Sequence, residues 1–164
     1  MTAAWMPRRL NALLQSAAAT RAGAFLYVRV FPHIDRRLLK ASRGRFSLSI
    51  GQPILLLTTV GARSGQRRET PLVYGTDGDR ITIVASKGGA PSHPAWLHNI
   101  RKEPRVSVLA GARTGDYLAA EAEGAERDRL WARSVELYPG YAEYQQRAGG
   151  REIPVVVLTP VRQD

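Results

Sequence analysis

Residues 54–91 read ILLLTTVGARSGQRRETPLVYGTDGDRITIVASKGGAP, and this stretch decides the fold. Ile54 to Val60 is a continuous apolar run ending in Thr-Thr-Val, the composition of a strand buried at a sheet centre. Gly61 to Gly65 forces a turn. Arg68 to Tyr74 forms the next strand, with Pro71 confining it to an edge or a bulge. Asp77-Gly78 is a hairpin signal, and Arg80 to Ser86 returns with Ile81, Ile83 and Ala85 on one face. Short hairpins at this spacing predict an antiparallel barrel or sheet rather than alternating βαβ units. The Gly-rich turns carry positive charge, at Arg63, Arg67, Arg68 and Lys87. Cations held beside Gly-rich backbone make a seat for a phosphate or carboxylate.

Outward from this stretch the pattern continues. Phe46, Leu48 and Ile50 alternate within a short edge strand expected over 44–51. Downstream, Ser92 is expected to cap a helix running to Arg101, with Trp96, Leu97 and Ile100 inward and Pro104 as its stop. Arg105 to Ala110 and Asp116 to Glu123 read as an antiparallel pair. Ala125 to Tyr138 reads as a helix that Pro139-Gly140 breaks, Tyr141 to Arg147 as a second short helix, and Ile153 to Leu158 as the last strand. The N-terminal region is different. A helix is expected over 7–19, and Ile34, Leu38 and Leu39 share a further helical face with Arg36, Arg37 and Lys40 outward. We therefore divide the chain into a basic helical extension or cover, 1–45, and a barrel domain, 46–164.

Composition bounds the chemistry. The chain has 164 residues, ordinary hydrophobic content and no cysteine, which excludes a disulfide scaffold and a zinc-thiolate site. No apolar run is long enough to span a membrane, and the N-terminal apolar run is broken by Asn11, Gln15 and Ser16, unlike a signal peptide. A cytoplasmic location is the expectation. The net charge of +10 is concentrated at one end: residues 1–45 carry nine Lys and Arg against one Asp. That end suits either a cover over the sheet or peripheral contact with an anionic membrane, with Arg stems snorkelling. No zinc-finger spacing, helix-turn-helix signature or RNP-like aromatic pattern is present, so nucleic acid is not an expected partner.

Several chemistries lack their residues. GARSG has two glycines four apart, so it is neither the G-x-G-x-x-G dinucleotide fingerprint nor a P-loop. His93 and His98 are five apart and have no accompanying carboxylate motif, so no protein-bound metal is expected. Ser64 lacks a nucleophile-elbow context, and Ser86 has no sequence-defined base. Ser86 suits hydrogen bonding to a bound heteroatom instead. Arg63, Arg68 and Lys87 are expected to converge on one phosphate. Tyr138, Tyr141 and Tyr144 recur every three residues in LYPGYAEYQ and either line a mouth above the barrel or pack a helix pair.

GARSGQRRETPL, VASKGGAPSHPAWLHNI, ELYPGYAEYQQ and IPVVVLTP, in this order, resemble the deazaflavin (F420)-dependent nitroreductase family, which includes F420H2-dependent quinone reductases. The resemblance covers about 53–160. It implies a mainly β fold with flanking helices, a split β-barrel like that of FMN-binding oxidoreductases. It also implies reduced F420 as cofactor and hydride transfer to a small-molecule acceptor such as a quinone, an activated enone or a nitro compound. On this resemblance Arg63, Ser64, Arg68, Ser86, Lys87, Gly88 and Gly89 bind the cofactor. Ser86, Tyr138 and Tyr141 are the catalytic candidates, and Val73, Tyr74, Tyr138, Tyr141 and Tyr144 face the substrate. Val73 stands where the best-known type of the family has a tyrosine, a departure at the substrate side. A homodimer is a further expectation. Two alternatives remain open: an FMN- or haem-binding split barrel, and a noncatalytic basic module that binds lipid.

Overall fold

A computed structural model describes residue 37 and residues 39–42 and 52–161. The helix expected over 7–19 and the edge strand expected over 44–51 lie outside the described residues. Six strands form one closed antiparallel barrel: β1 (Ile54–Val60), β2 (Arg67–Asp77), β3 (Arg80–Val84), β4 (Arg105–Leu109), β5 (Gly115–Glu121) and β6 (Val155–Pro160). The order around the barrel is β1-β2-β3-β6-β5-β4, closed by β1 against β4. Among the described residues, three helices that lie wholly within them flank it: α1 (Ala95–Lys102), α2 (Gly124–Leu137) and α3 (Gly140–Arg147). This is the split-barrel architecture expected from the sequence.

Alternation sorts the strand residues. Leu55, Leu57, Ile81, Ile83, Val106, Val108, Val156 and Leu158 fill the interior, and Trp96, Leu97 and Ile100 of α1 plug one end of it. β1 reads as unbroken apolar sequence because its other face is also covered: Ile54 and Leu56 pack against Leu39, which lies in a helical segment. The outward Val155 and Val157 of β6 are covered by Leu130 of α2. Fully burying each such aliphatic side chain is worth about 1.5–3 kcal/mol, against roughly 0–1 kcal/mol for an exposed ion pair. The core, rather than the many surface arginine pairs, therefore holds the barrel.

β2 is longer than the sequence suggested because it serves two neighbours in turn. Residues 67–73 pair with β1 and residues 74–77 with β3. Pro71 lies opposite Leu56, in the half of β2 that β3 does not pair, so its missing N–H breaks no ladder. The expected Ser92 cap is corrected. Helix α1 starts after Pro94, whose ψ of 151° is extended, and no side chain caps it. A residue before proline is pushed away from helical backbone, so His93 cannot begin the helix.

Two polar devices fix the ends of the barrel. At the β2–β3 hairpin, Asp77 accepts hydrogen bonds from Arg80, from Arg129 at 2.9 and 3.0 Å and from Arg133 at 2.9 Å. Arg129 and Arg133 belong to α2, so one carboxylate ties that helix to the hairpin. These hydrogen bonds, from Arg129 above all and then Arg80, hold the Asp77 carboxyl well below the usual aspartate range. At the opposite end of β1, the buried Asn99 of α1 accepts from the Ala62 N–H at 2.9 Å and donates to Thr59 Oγ1 at 3.0 Å.

Both devices have measurable consequences. A depressed folded pKa stabilises fully above the unfolded value, near 3.8, and that stability is lost as pH falls below it. The thermal midpoint of Asp77→Asn should therefore fall less steeply than wild type on acidification below that value, from a lower starting point at neutral pH. A wild-type acid slope retained in Asp77→Asn would contradict this. Asn99→Leu strands the Ala62 N–H and the Thr59 hydroxyl, and should cost about 1–3 kcal/mol in urea unfolding.

Candidate functional site

The turn after β1 is built by backbone geometry before any ligand is considered. The Gly61 N–H donates to Gln66 O at 2.8 Å and the Gly65 N–H to Gly61 O at 2.8 Å. The Gln66 N–H reaches Ser64 Oγ at 3.3 Å. The whole turn is pinned to α1 through Asn99 and through Lys102 Nζ, which donates to Ala62 O at 2.7 Å. Between this turn, the start of β2 and α1 lies an open cleft of about 1000 Å³, lined by Arg63, Ser64, Arg67, Arg68, Trp96 and His98 among others.

The charges of this cleft are distinctive. The side chains of Arg63, Arg67 and Arg68 are exposed and have no acidic partner among the described residues. Arg68 only donates to Gln66 Oε1, at 3.2 Å. By contrast, Arg80, Arg101, Arg105, Arg127, Arg129, Arg133 and Arg147 all pair with Asp or Glu. Glu69, the acid among the cleft-lining residues, is engaged by Lys40 at 2.7 Å. Three guanidiniums without counter-charge around one cavity suit a phosphate-bearing, polyanionic ligand.

A second turn, Ser86 to Ala90, follows β3. Lys87, Gly88 and Gly89 all have positive φ, at 50°, 64° and 78°. For Gly89 the requirement is double, since a Cβ there would lie 2.7 Å from Tyr144 O. Lys87 does not line the cleft. Its ammonium donates to Ser92 Oγ at 2.7 Å and to His93 O at 3.4 Å, clamping the segment that leads into α1. The Ser86 hydroxyl makes no hydrogen bond among the described residues, while Ser86 O accepts from the Gly89 N–H at 3.0 Å and from Arg151 at 3.0 Å. Burial, and then the Arg151 charge, push the His93 imidazole pKa down. Arg151 Nη1 lies 3.1 Å from His93 Nδ1, and since a guanidinium can only donate, Nδ1 is the acceptor.

The tyrosines form the third part. α2 ends at Leu137 and α3 starts at Gly140, so Tyr138 lies in the corner between them. A Cβ at Gly140 would come within 2.6 Å of the Tyr138 ring, which explains the glycine. The Tyr138 and Tyr144 hydroxyls are 3.1 Å apart, and the ring of Tyr141 lies 5.1 Å from that of Tyr138, edge to face. Tyr141 and Tyr144 are buried against Val84, Ala148 and Ile153, whereas Tyr138 is half-buried. Burial, reinforced by the Tyr144 hydroxyl, pushes the Tyr138 phenol far up. Val73 and Tyr74 face opposite sides of β2: Val73 packs with Leu39, Ile54 and Leu56, and Tyr74 against the barrel interior.

The structure thus brings Arg63, Ser64 and Arg68 to one cleft, and Ser86, Lys87, Gly88 and Gly89 to one turn that packs on the tyrosine-bearing α3. It does not bring Lys87 to the arginines directly. Sequence reasoning missed Asn99, whose signal was an amide beside Ile100 on the inward stripe of α1. It also missed Arg151, for which no local pattern exists. Among the described residues no group of His, Cys, Asp and Glu could hold a metal ion, and no helix is long and apolar enough to cross a membrane.

Comparison with known proteins places the chain in a family. A family model described as F420H(2)-dependent quinone reductase matches residues 28–160. An F420H2-dependent quinone reductase of Mycobacterium tuberculosis is 40% identical over 127 residues, which are 74% of this chain and 85% of that protein. The solved F420-H2 dependent reductase FDR-A is 46% identical, with a TM-score of 0.59, over 65% of this chain and 93% of that one. A solved structure described as a domain-swapped dimer is 41% identical, with a TM-score of 0.63, over 77% of this chain and 93% of that one. The chain with the arginine cleft and the tyrosine corner belongs to the F420H2-dependent quinone reductase family.

Proposed function

We infer that this protein is an F420H2-dependent reductase acting on a quinone, an activated enone or a nitro-type acceptor. The observation that carries the reading is the set of guanidiniums at Arg63, Arg67 and Arg68, without an acidic partner among the described residues, around a cleft large enough for a phosphate-bearing ligand, in a chain of this family. Reduced F420, when bound, supplies the hydride.

The protein's own residues supply binding, orientation and protons. Arg63, Arg67 and Arg68 hold the anionic part of the cofactor, with Ser64 contributing its hydroxyl. Ser86, Lys87, Gly88 and Gly89 form the second binding loop. The Ser86 hydroxyl, which makes no cap hydrogen bond and has no partner among the described residues, is available to a ring heteroatom or an acceptor oxygen. Tyr138, held as the neutral phenol by burial and by Tyr144, can donate a hydrogen bond from its Oη to the acceptor oxygen and relay a proton along the Tyr144–Tyr138 hydroxyl pair in step with hydride transfer, so that no free phenolate is left. Tyr141 contributes a buried ring to the same wall, and Tyr74 lies on the barrel side of β2. Val73 faces Leu39 instead, so any role toward substrate depends on what adjoins that face. Assembly as a homodimer and peripheral contact with an anionic membrane through residues 1–45 complete the reading. The second of these rests on charge alone.

Anaerobic mixing of the protein with F420H2 and a quinone should restore the visible absorbance band of oxidised F420. Absence of both cofactor binding and oxidation across several acceptors would overturn the assignment. Tight FMN or haem without F420 affinity would favour the redox alternative, and salt-dependent liposome binding without any cofactor would favour a lipid module. Arg63→Ala and Arg68→Ala should each weaken F420 binding about tenfold to a hundredfold, since a charge-assisted hydrogen bond is worth roughly 1.5–3 kcal/mol. Tyr138→Phe should keep cofactor affinity and lower turnover by about tenfold or more. Wild-type turnover in that variant would remove its hydroxyl from the proton path.

A further inference from the structure

We propose that Arg151 is a positioning residue that locks the Ser86–Ala90 turn against α3, setting the Ser86 hydroxyl and the tyrosine corner in one fixed arrangement. This rests on the reductase reading above for its consequence in turnover, although the lock itself is a property of the fold.

Arg151 lies in the connection between α3 and β6, after Gly149-Gly150. Its guanidinium directs every hydrogen bond at one loop. It donates to Ala85 O at 3.3 Å, Ser86 O at 3.0 Å, Ala90 O at 2.8 and 3.2 Å, and His93 Nδ1 at 3.1 Å. No carboxylate pairs with it among the described residues, unlike seven arginines elsewhere on the surface. Only a planar fork with five donors can satisfy three carbonyls and an imidazole at once.

The turn that it grips needs an external hold. Lys87 has a left-handed φ of 50°, uncommon for a side chain of that size, and two left-handed glycines follow it. Its internal hydrogen bonds are Gly89 N–H to Ser86 O at 3.0 Å and Ala90 N–H to Lys87 O at 3.2 Å. Arg151 adds donors to Ser86 O and Ala90 O, the two edges of that strained segment. The other side of the lock is α3. Gln145 donates to Arg151 O at 2.8 Å and accepts from the Ile153 N–H at 2.9 Å, so the residue next to Tyr144 fixes the Arg151 backbone. Gly89 meanwhile packs directly on Tyr144 O. The tyrosine helix, Arg151 and the Ser86 turn are therefore one rigid chain of contacts.

Arg151→Lys keeps the charge without the fork, and Arg151→Gln removes the charge. Gln145→Met loosens the lock from the other side should the arginine variants fold poorly. The direct readout needs no cofactor. Backbone hydrogen exchange at Gly89 and Ala90 should speed up at least about tenfold in all three variants, while the β1 and β6 amides stay protected. With cofactor, kcat should fall about tenfold to a hundredfold, and F420 affinity, shared between this turn and the arginine cleft, should weaken by a smaller factor than kcat falls. Rescue by Arg151→Lys of both exchange and kcat, or wild-type exchange at Gly89 and Ala90 in Arg151→Gln and Gln145→Met, would overturn the proposal. A lowered thermal midpoint with kcat unchanged would reduce Arg151 to a structural residue and overturn it too. If the wild type neither binds nor oxidises F420H2, the reductase reading fails, and the exchange result alone decides the lock.

Discussion

The site depends first on one buried amide. Asn99 faces Ala62 and Thr59 with both ends of its side chain satisfied, and this ties the turn after β1 to the helix that plugs the barrel. A buried amide left half-paired costs more than it gains when paired, so the geometry is strongly determined. The Ala62 N–H can only donate and Thr59 Oγ1 accepts, which fixes the direction of the amide. The arginines that follow Ala62 inherit that rigidity. Without it, residues 61–66 would be an exposed loop whose cations averaged over many positions.

Electrostatics divides the molecule in a second way. Arginines on α1, α2, α3 and the β2–β3 hairpin are neutralised in place by Glu121, Asp77, Glu126 and Glu143. Those pairs orient elements and add little net stability at an exposed surface. Around the cleft the pattern reverses, with three arginines that have no acidic partner among the described residues and the adjoining Glu69 engaged by Lys40. Unpaired like charges repel one another and disfavour the empty fold. Their retention at one place makes physical sense when a ligand supplies the missing anion.

Much of this was legible from residue pattern. Alternation at Ile81, Ile83 and Ala85, the Asp77-Gly78 turn and the break at Pro139-Gly140 each act through neighbours a few residues away, so the chain itself displays them. The motif blocks also carried the family. What the sequence concealed were long-range relations. The Ser92 cap failed because the extended bias imposed by Pro94 on its neighbour outweighs a favourable capping residue. Lys87 looked like a partner of Arg63 and Arg68 because all three lie beside turns, yet its ammonium is drawn to Ser92 and His93. Tyr141 and Tyr144 looked equally suited to a mouth and to a helix pair, and their burial against Val84 and Ile153 depends on how α3 folds back.

The site is consequently assembled from two separately supported parts. The arginine cleft stands on β1, β2 and α1, whereas the tyrosine corner stands on α2 and α3 over the outer face of β3 and β6. Among the described residues the segment from Ala85 to His93 joins them, leaving the barrel wall at Ala85 and entering α1 just beyond His93. In the proposed reading this separates cofactor recognition from acceptor recognition. Substitutions along α2 and α3 can reshape the acceptor side without moving Arg63 or Arg68, provided the connecting turn keeps its strained form. On that reading the rigidity of the Ser86–Ala90 turn is the constraint that any reshaping of the acceptor side has to keep.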